Sequence, residues 1–263
     1  MLDKSFNFLK PFEVDDLIRL GRKEDGGYII SEKVLKNCNI LISFGMANDW
    51  SFEQDFLNYN KENKVYIYDH TVNLIYFLKR FYKSLKRLFY LKSSPSNINT
   101  KLNELIKYLK IDKKKFIHIK KKVDIINSNF QVDIKKIFSI TNNKKIILKI
   151  DIEGDEYKIF DEILNFSNQI ETFLVEFHEI EKNRDEFISI IQKIQKNYFI
   201  IHLHANNITG YCNDNLPKTI EFTFLKKNNL KLNLKNINSY PIKNLDYPNH
   251  PYIKDIDINF SDK

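Results

Sequence analysis

The sequence predicts an α/β fold: a Rossmann-like, mostly parallel seven-stranded sheet with helices on both faces. Short apolar runs alternate along the chain with segments whose apolar residues recur at helical spacing. Several of these runs end on an acidic or imidazole side chain, as residues 146–150 do before Asp151. In doubly wound sheets the carboxyl ends of the parallel strands share one edge, and ligands bind there. The alternative for each such end is an ordinary polar turn between a strand and a helix.

Composition favours one packed domain over residues 1–263. The chain is 43% hydrophobic and contains only six glycines and six prolines, which argues against a disordered or fibrous protein. Within this domain, we expect residues 1–38 to form an N-terminal extension of helix and turns. Residues 72–110 are expected to form a helical insertion, or cap, after the second strand.

Charge and cysteine usage restrict the partners and the compartment. The net charge of +8 favours acidic partners, such as phosphorylated or nucleotide-linked substrates. The lysines are scattered through every element, so we expect no nucleic-acid partner. Cys38 and Cys212 lack metal-ligand spacing and indicate reduced thiols. Without a signal-peptide pattern or an apolar run of about 20 residues, we expect a cytoplasmic protein with no transmembrane segment.

The first third of the chain contains two turns that suit ligand binding. Residues 12–20 are interpreted as a short helix, and the Asp25-Gly26-Gly27 turn that follows is either a ligand-binding turn or a plain hairpin. A strand over 39–44 ends at Gly45, and helical spacing resumes from Phe52. Strand, glycine, polar loop and helix together are typical of a nucleoside- or phosphate-binding turn, although the absence of GxGxxG disfavours a dinucleotide.

A second strand ends on a carboxylate, and a basic region follows it. Asp69 is placed to accept hydrogen bonds from ribose hydroxyls. Residues 72–92 have the pattern of a basic amphipathic helix, and 98–110 that of a second helix. A role at a membrane surface is one interpretation of 72–92. We favour a helix packed on the sheet with a solvated lysine face, and the pair could also form a contact between copies in a homo-oligomer.

The remaining elements continue the alternation. Strands are predicted over 116–123, 144–151, 172–180, 198–207 and 219–227, and helices over 132–138, from about Tyr157 onward and over 184–196. The last two strands are joined by a hairpin, and the tail contains an alternating segment interpreted as an edge strand. Glu176 and His178 lie near one strand end and share a face, as do His202 and His204 at another.

The motif LKIDIEGDE at 148–156 resembles the most recognisable block of the FkbM family of S-adenosylmethionine-dependent methyltransferases. LGRKEDGGYII, ISFGMANDWSFEQDF, LVEFHEI, HLHANN and LDYPNHP resemble a methyltransferase-like subgroup of the same family. The resemblance spans nearly the whole chain. The family's glycine-rich first motif is reduced here to FGMAND, which contains one glycine.

The resemblance implies a class I methyltransferase fold and O-methylation of a sugar or sugar-nucleotide hydroxyl, in surface polysaccharide biosynthesis. The implied S-adenosyl-L-methionine ligands are Asp25, Gly26, Gly27, Tyr28, Ser43, Phe44, Gly45, Asp49, Trp50, Ser51, Glu53, Asp69, His70 and Asp151. The small-molecule sugar substrate would contact Glu153, Glu176, Asn206 and Asn207.

Methylation of a sugar hydroxyl requires a group that activates this weak nucleophile. An alkyl hydroxyl gains from a positioned base or a metal, and the catalytic candidates are Asp151, His178 and His204. A divalent metal would be held by Asp151, Glu176 and His178, with Glu153 nearby. The alternatives are a non-catalytic Rossmann-like binding protein and a metal-dependent nucleotide-sugar transferase that uses Asp151 and Glu153.

Overall fold

The computed structural model describes residues 2–90, 92, 94–227 and 236–261. Its first half contains a 3₁₀ helix (Lys4–Leu9), β1 (Leu17–Leu20), β2 (Tyr28–Ser31), α1 (Glu32–Asn37), β3 (Ile40–Phe44), α2 (Ser51–Tyr59), β4 (Lys64–Tyr68), α3 (Leu74–Phe89), α4 (Pro95–Leu109), β5 (Phe116–Ile119) and β6 (Lys122–Val123). Its second half contains β7 (Gln131–Val132), α5 (Ile134–Ser139), β8 (Ile146–Ile150), α6 (Glu156–Leu164), β9 (Ile170–Phe177), α7 (Arg184–Gln195), β10 (Tyr198–Ala205), β11 (Ile220–Lys226), β12 (Ser239–Tyr240) and β13 (Ile258–Asn259).

The central sheet has seven strands in the order β10-β11-β9-β8-β3-β4-β5. All run parallel except β11, which is antiparallel to both of its neighbours. The chain builds outward from β3 to β5 and then returns to β8 on the other side of β3, which creates a topological switch point. This order, with one reversed strand near the end of the sheet, confirms the predicted Rossmann-like, mostly parallel seven-stranded sheet.

Helices cover both faces, which explains why the strands are continuous apolar runs rather than alternating ones. All five residues of β8 are buried. One face packs against α5, α6 and α7 through Ile137, Phe160 and Ile191. The other packs against α1 to α4, where Phe56 and Phe77 are fully buried. The central sheet therefore lies between two apolar layers.

Three sequence expectations about local structure are wrong. Residues 12–20 contain the strand β1, which pairs with β2 in a hairpin, because a partner at 28–31 outweighs helical spacing. The strand predicted over 116–123 is divided into β5 and β6, and the short β6 pairs with β7 outside the main sheet. The tail strand β13 pairs with β12 and not with an edge of the main sheet.

The helical insertion is present as α3 and α4. The predicted helix over 72–92 ends at Phe89 in the structure, and Leu91 lies outside the described residues. No helix among the described residues is long and apolar enough to cross a membrane.

Candidate functional site

The turn after β3 brings two strand ends into direct contact. Gly45 has a φ of +86°, and a Cβ atom at this position would lie 1.8 Å from the backbone oxygen of Asp151. Both the positive φ and the close approach exclude a side chain. The Gly45 N–H donates to the carbonyl of Tyr68 at 3.0 Å, which ties the turn to β4 as well. Glycine is thus required for the meeting of β3, β4 and β8.

Asp69 fixes the rest of this loop. Its Oδ2 accepts hydrogen bonds from the N–H groups of Met46 and Ala47 at 2.9 and 3.0 Å. Its Oδ1 accepts from the N–H and the hydroxyl of Thr71 at 2.7 and 2.6 Å. Burial would raise the pKa of Asp69, but these hydrogen bonds together lower it. The carboxylate is therefore ionised and orders the two loops on either side of it.

A crevice of about 510 Å³ opens at the carboxyl ends of β3, β4 and β8. Its lining residues are Gly45, Met46, Ala47, Tyr68, Asp69, His70, Thr71, Lys121, Lys122, Val123, Asp151, Ile152, Glu153 and Asp155. Five predicted site residues are among them. Lys121, Lys122 and Val123 were missed by the sequence analysis, although they follow β5, whose carboxyl end lies at the same edge.

Several predicted cofactor ligands lie beneath the loop instead of on the crevice. Ser43 is fully buried, and its hydroxyl donates to Glu53 Oε1 at 2.7 Å. Lys149 Nζ lies 3.3 Å from the same oxygen. Phe44 is also fully buried. This network joins β3, α2 and β8 from inside, so Ser43, Phe44 and Glu53 support the site and do not line the crevice.

The turn at residues 25–27 packs against the start of α2. A Cβ on Gly26 would lie 2.4 Å from Asp49 Oδ2, so the space beside this glycine is filled by protein. Asp49 also pairs with Arg22 at 3.1 Å and accepts from the Ser51 N–H. The turn is a hairpin turn that closes over α2. Gly27 is buried beside Arg22 and Arg19, and Trp50 packs on Phe77 and Tyr108.

Acidic groups line the edge of the sheet from β8 toward β10. Asp151 follows β8, and the Tyr28 hydroxyl donates to its Oδ2 at 3.0 Å. Glu176, on β9, is directly opposite Glu221 on β11. His178 Nε2 lies 3.9 Å from Asp151 and 3.8 Å from Glu176. The predicted pairing of these side chains at one edge is present.

His178 is held in a strongly anionic environment. Its Nδ1 is 2.7 Å from Glu156 Oε1, and its Nε2 is 3.6 Å from Glu153. Burial alone would lower the pKa of His178, but the hydrogen bond to Glu156 and the charges of Glu176 and Asp151 raise it to about 10. At neutral pH this imidazole is charged. It can donate a hydrogen bond, but it has no free lone pair with which to act as a base.

Two glutamates on neighbouring strands are deficient in hydrogen-bond donors. Glu176 Oε1 accepts from Asn206 Nδ2, and Glu221 Oε1 accepts from Asn249 Nδ2, both at 2.9 Å. Burial and the charges of Asp151 and Glu221 raise the pKa of Glu176 well above its usual value. Burial raises the pKa of Glu221 to about 7, against the opposing effects of His204 and Asn249. These carboxyl groups hold protons more tightly than carboxyls in water.

His204 lies further along the sheet. Strand β10 is three strands from β8, which corresponds to about 14 Å at the usual strand spacing. His204 is buried, with Nε2 3.1 Å from Asp255, and His202 Nε2 is 2.9 Å from Asp246. Both histidines anchor the C-terminal segment to the sheet. His204 therefore lies away from the β3–β8 crevice and is not among its lining residues.

Like His202 and His204, Asn207 anchors the C-terminal segment. Its Nδ2 donates to the carbonyls of His250 and Ile253, and its Oδ1 accepts from the His250 N–H. These three hydrogen bonds hold the side chain against the main chain of residues 250–253. Asn206, by contrast, holds Glu176 and so reaches the site indirectly.

Two groups of side chains have metal-ligand chemistry: Asp151, Glu153 and His178, and Asp25, Glu176 and Glu221. Within each group the candidate ligand atoms lie within 4.8 Å of one another. The predicted set of Asp151, Glu176 and His178 does not form one of these groups. The structure thus brings two of the three predicted metal ligands, Asp151 and His178, together with Glu153, whereas Glu176 belongs to the other group.

Solved structures that resemble this chain include a fibrillarin pre-rRNA processing protein from Methanococcus jannaschii, with 10% identity and a TM-score of 0.38 over 73% of this chain and 68% of that one. A precorrin-6y C5,15-methyltransferase from Geobacter metallireducens has 7% identity and a TM-score of 0.37, covering 79% and 95% of the two chains. A tRNA (m1A22) methyltransferase candidate from Streptococcus pneumoniae, solved with S-adenosyl-L-methionine, has 10% identity and a TM-score of 0.38, covering 75% and 73%. No family model matches the chain, and no curated protein matches its sequence.

Proposed function

We propose that this protein is an S-adenosyl-L-methionine-dependent O-methyltransferase that acts on a hydroxyl of a sugar or sugar nucleotide. The observation that carries the proposal is the crevice at the switch point between β3 and β8, where Asp69 holds the Gly45 loop in place. In open α/β sheets this is the position of a nucleoside-type ligand. The resemblance of residues 148–156 to the FkbM block supports the same assignment.

The cofactor is proposed to lie along the Gly45 loop, with its ribose near Asp69 and His70. Because both oxygens of Asp69 already accept two hydrogen bonds, its main contribution is to present the loop backbone at 46–47. Lys121 to Val123 form the opposite wall. The cofactor sulfonium carries a positive charge, which Asp151 and Glu153 stabilise from the end of β8.

The acceptor is proposed to enter beside Asp151 and Glu153, which line the crevice. Its hydroxyl oxygen attacks the methyl carbon, the bond from that carbon to sulfur breaks, and S-adenosylhomocysteine leaves. The hydroxyl proton passes to the carboxylate of Asp151, because Glu176 is buried outside the crevice and its raised pKa favours its protonated form. The charged His178 lies 3.8 Å from Glu176 and 3.9 Å from Asp151, and orients both carboxylates. Alignment of the two substrates supplies much of the acceleration.

The acidic edge favours a polyhydroxyl acceptor. Carboxylates accept hydrogen bonds from sugar hydroxyls, and Asp151 and Glu153 present several acceptor oxygens in one place. A phosphate of a sugar nucleotide would be repelled there and would be better placed near Lys121 and Lys122. A role in surface polysaccharide biosynthesis and a cytoplasmic location belong to the same proposal.

The test is a thermal-shift titration followed by a search for methyl transfer. S-adenosylmethionine and S-adenosylhomocysteine should both raise the melting temperature, since a ligand that binds only the native state stabilises it. No shift at saturation would overturn the proposal. Mass spectrometry of a sugar-nucleotide panel, with and without EDTA, should then show the gain of one methyl group. Cofactor binding with no methyl gain on any acceptor would instead favour a non-catalytic binding protein.

A further inference from the structure

The positive charge of this protein is concentrated in one helical hairpin. Residues 74–110 contain nine lysines and arginines and a single glutamate, which gives the segment a net charge of +8. The whole chain also carries +8, so the remainder is neutral in sum. Lysines do occur throughout the chain, but the excess of positive over negative charge lies in residues 74–110.

Helix α3 has three distinct faces. At 100° per residue, Phe77, Phe81, Ser84 and Leu88 fall on one side, and Phe77 and Ser84 are buried against the sheet and α4. A second arc of about 100° holds only apolar residues. Its members, all exposed, are Leu74, Ile75, Leu78, Tyr82, Leu85 and Phe89. Ile75 is 61% exposed and Phe89 is 84% exposed, so nothing in the described chain covers this stripe.

The third face of α3 is basic. It holds Lys79, Lys83, Lys86 and Arg87, which adjoin the apolar stripe along the length of the helix and are all exposed. Arg80 turns toward α4, where it pairs with Glu104 at 3.3 Å. An exposed apolar arc bordered by a row of cations is the pattern of a helix that lies in a lipid–water interface. A surface helix that only covers a sheet needs no such outer stripe.

We propose that the outer face of α3, with α4 beside it, docks the protein on an anionic phospholipid bilayer. The apolar stripe would enter the headgroup boundary, and the basic row would contact the lipid phosphates. Charge complementarity selects this occupant over a second copy, because a symmetric contact would bring two +8 segments together. The aliphatic side chains Ile75, Leu78 and Leu85 favour lipid over RNA, whose backbone offers them no apolar contact.

Docking would hold the proposed active site at the membrane. Helix α3 begins at Leu74, and Thr71, three residues earlier, lines the crevice. Acceptors carried on lipids would thus be close to the site. The docking proposal stands apart from the methyltransferase proposal, since vesicle binding requires neither cofactor nor turnover.

The experiment is flotation of the full chain with vesicles of phosphatidylcholine alone, or of phosphatidylcholine and phosphatidylglycerol in equal parts. We expect binding to the anionic vesicles only, weakened by salt because the contact is exposed. The triple variant Lys79→Glu, Lys83→Glu, Lys86→Glu should lose about a hundredfold or more in partitioning. The variant Leu78→Ser, Leu85→Ser, Phe89→Ser should lose about as much, through burial of less apolar surface.

A matched control variant makes the same change in net charge outside residues 74–110. Lys135, Lys144 and Lys243 are exposed and lie outside the hairpin, and their triple change to Glu should alter partitioning by no more than about fivefold, because contact-range charges dominate. Absence of wild-type flotation with anionic vesicles overturns the proposal. So does an equal loss in the control. Polyuridylate binding or dimerisation that depends on these residues, without vesicle binding, assigns the face to RNA or to a second copy.

Discussion

Asp69 and Glu176 are both buried carboxylates at parallel strand ends, yet their surroundings differ. Asp69 accepts four hydrogen bonds from three residues, and its pKa is lowered. Glu176 faces Asp151 and Glu221, accepts from Asn206, and has a raised pKa. The difference shows that the β4 end of the edge uses its acid to order a loop. The acids at the β9 end have few hydrogen-bond donors and bind their protons more tightly.

The largest effect is expected from Gly45→Ala, in the loop that Asp69 orders. The new Cβ would collide with the Asp151 backbone at a positive φ, and we expect a loss of about 3–5 kcal/mol in the free energy of unfolding. Gly210→Ala is the matched control, because Gly210 has a φ of +74° and no atom within 4 Å of a Cβ. Strain alone should cost that variant about 1–2 kcal/mol in urea unfolding. Equal losses in the two variants would mean that the contact with Asp151 is unimportant.

The role of Glu176 beside His178 is tested by Glu176→Gln. The amide has nearly the same shape but no charge with which to hold the His178 imidazolium between Glu176 and Asp151, so kcat should fall about 10²-fold. Cofactor affinity, measured by calorimetry, should change by less than about threefold, since Glu176 does not line the crevice. Glu62→Gln, on an exposed residue, is the control. An unchanged kcat would mean that Glu176 does not position His178 and Asp151.

The variant Asp69→Asn tests whether this carboxylate orders the loop at residues 46–47. The amide sets an N–H group against backbone and hydroxyl donors, and we expect a loss of about 2–3 kcal/mol in stability, together with weaker cofactor binding. Asp257→Asn, at an exposed site, should cost little. If Asp69→Asn retains full stability, the carboxylate does not order the loop. If it retains full cofactor affinity, Asp69 is excluded from the ribose site.

The pH dependence of stability gives the smallest effect. Because the pKa of Glu221 rises from 4.5 to about 7 on folding, the native state holds its proton more tightly than the unfolded state does. Glu221 therefore stabilises the protein below pH 4.5, and this contribution is lost as the pH rises through 7. Relative to Glu221→Gln, wild type should lose about 2–3 kcal/mol across that window in urea unfolding. The groups facing Glu221 are Glu176, His204, Asp25, Arg19 and Asn249. Parallel curves for the two proteins would contradict the shift.

The parts of the fold that follow from the sequence are those encoded locally. The strand before Asp151 and the helix after it are specified by an apolar run and by helical spacing, and the glycine at 45 marked the turn correctly. The strand β1 was mistaken for a helix because its partner residues in β2 lie between 8 and 14 positions further along the chain. Asn207 looked like a substrate ligand because its partners, His250 and Ile253, are more than forty residues distant.

The chemistry of the acids was least accessible from the sequence. Asp69 and Glu176 each lie at the end of a strand, and only Thr71, two residues after Asp69, is a donor close in sequence. The other donors to Asp69 come from a loop more than twenty residues away, and the donor to Glu176 is Asn206. Residue type and position predict where a carboxylate lies. Its proton affinity depends on partners that only the fold supplies.

The reversed strand β11 also sets an order of assembly. It lies between β9 and β10, although it follows both in the chain. During synthesis β9 and β10 therefore have no partner between them until Lys226 has left the ribosome. The strands β3, β4, β5 and β8 require nothing beyond residue 150 to pair with one another. The crevice can form early, and the part of the sheet beyond β8 is completed by the late insertion of β11, which protects two open edges from association with other chains.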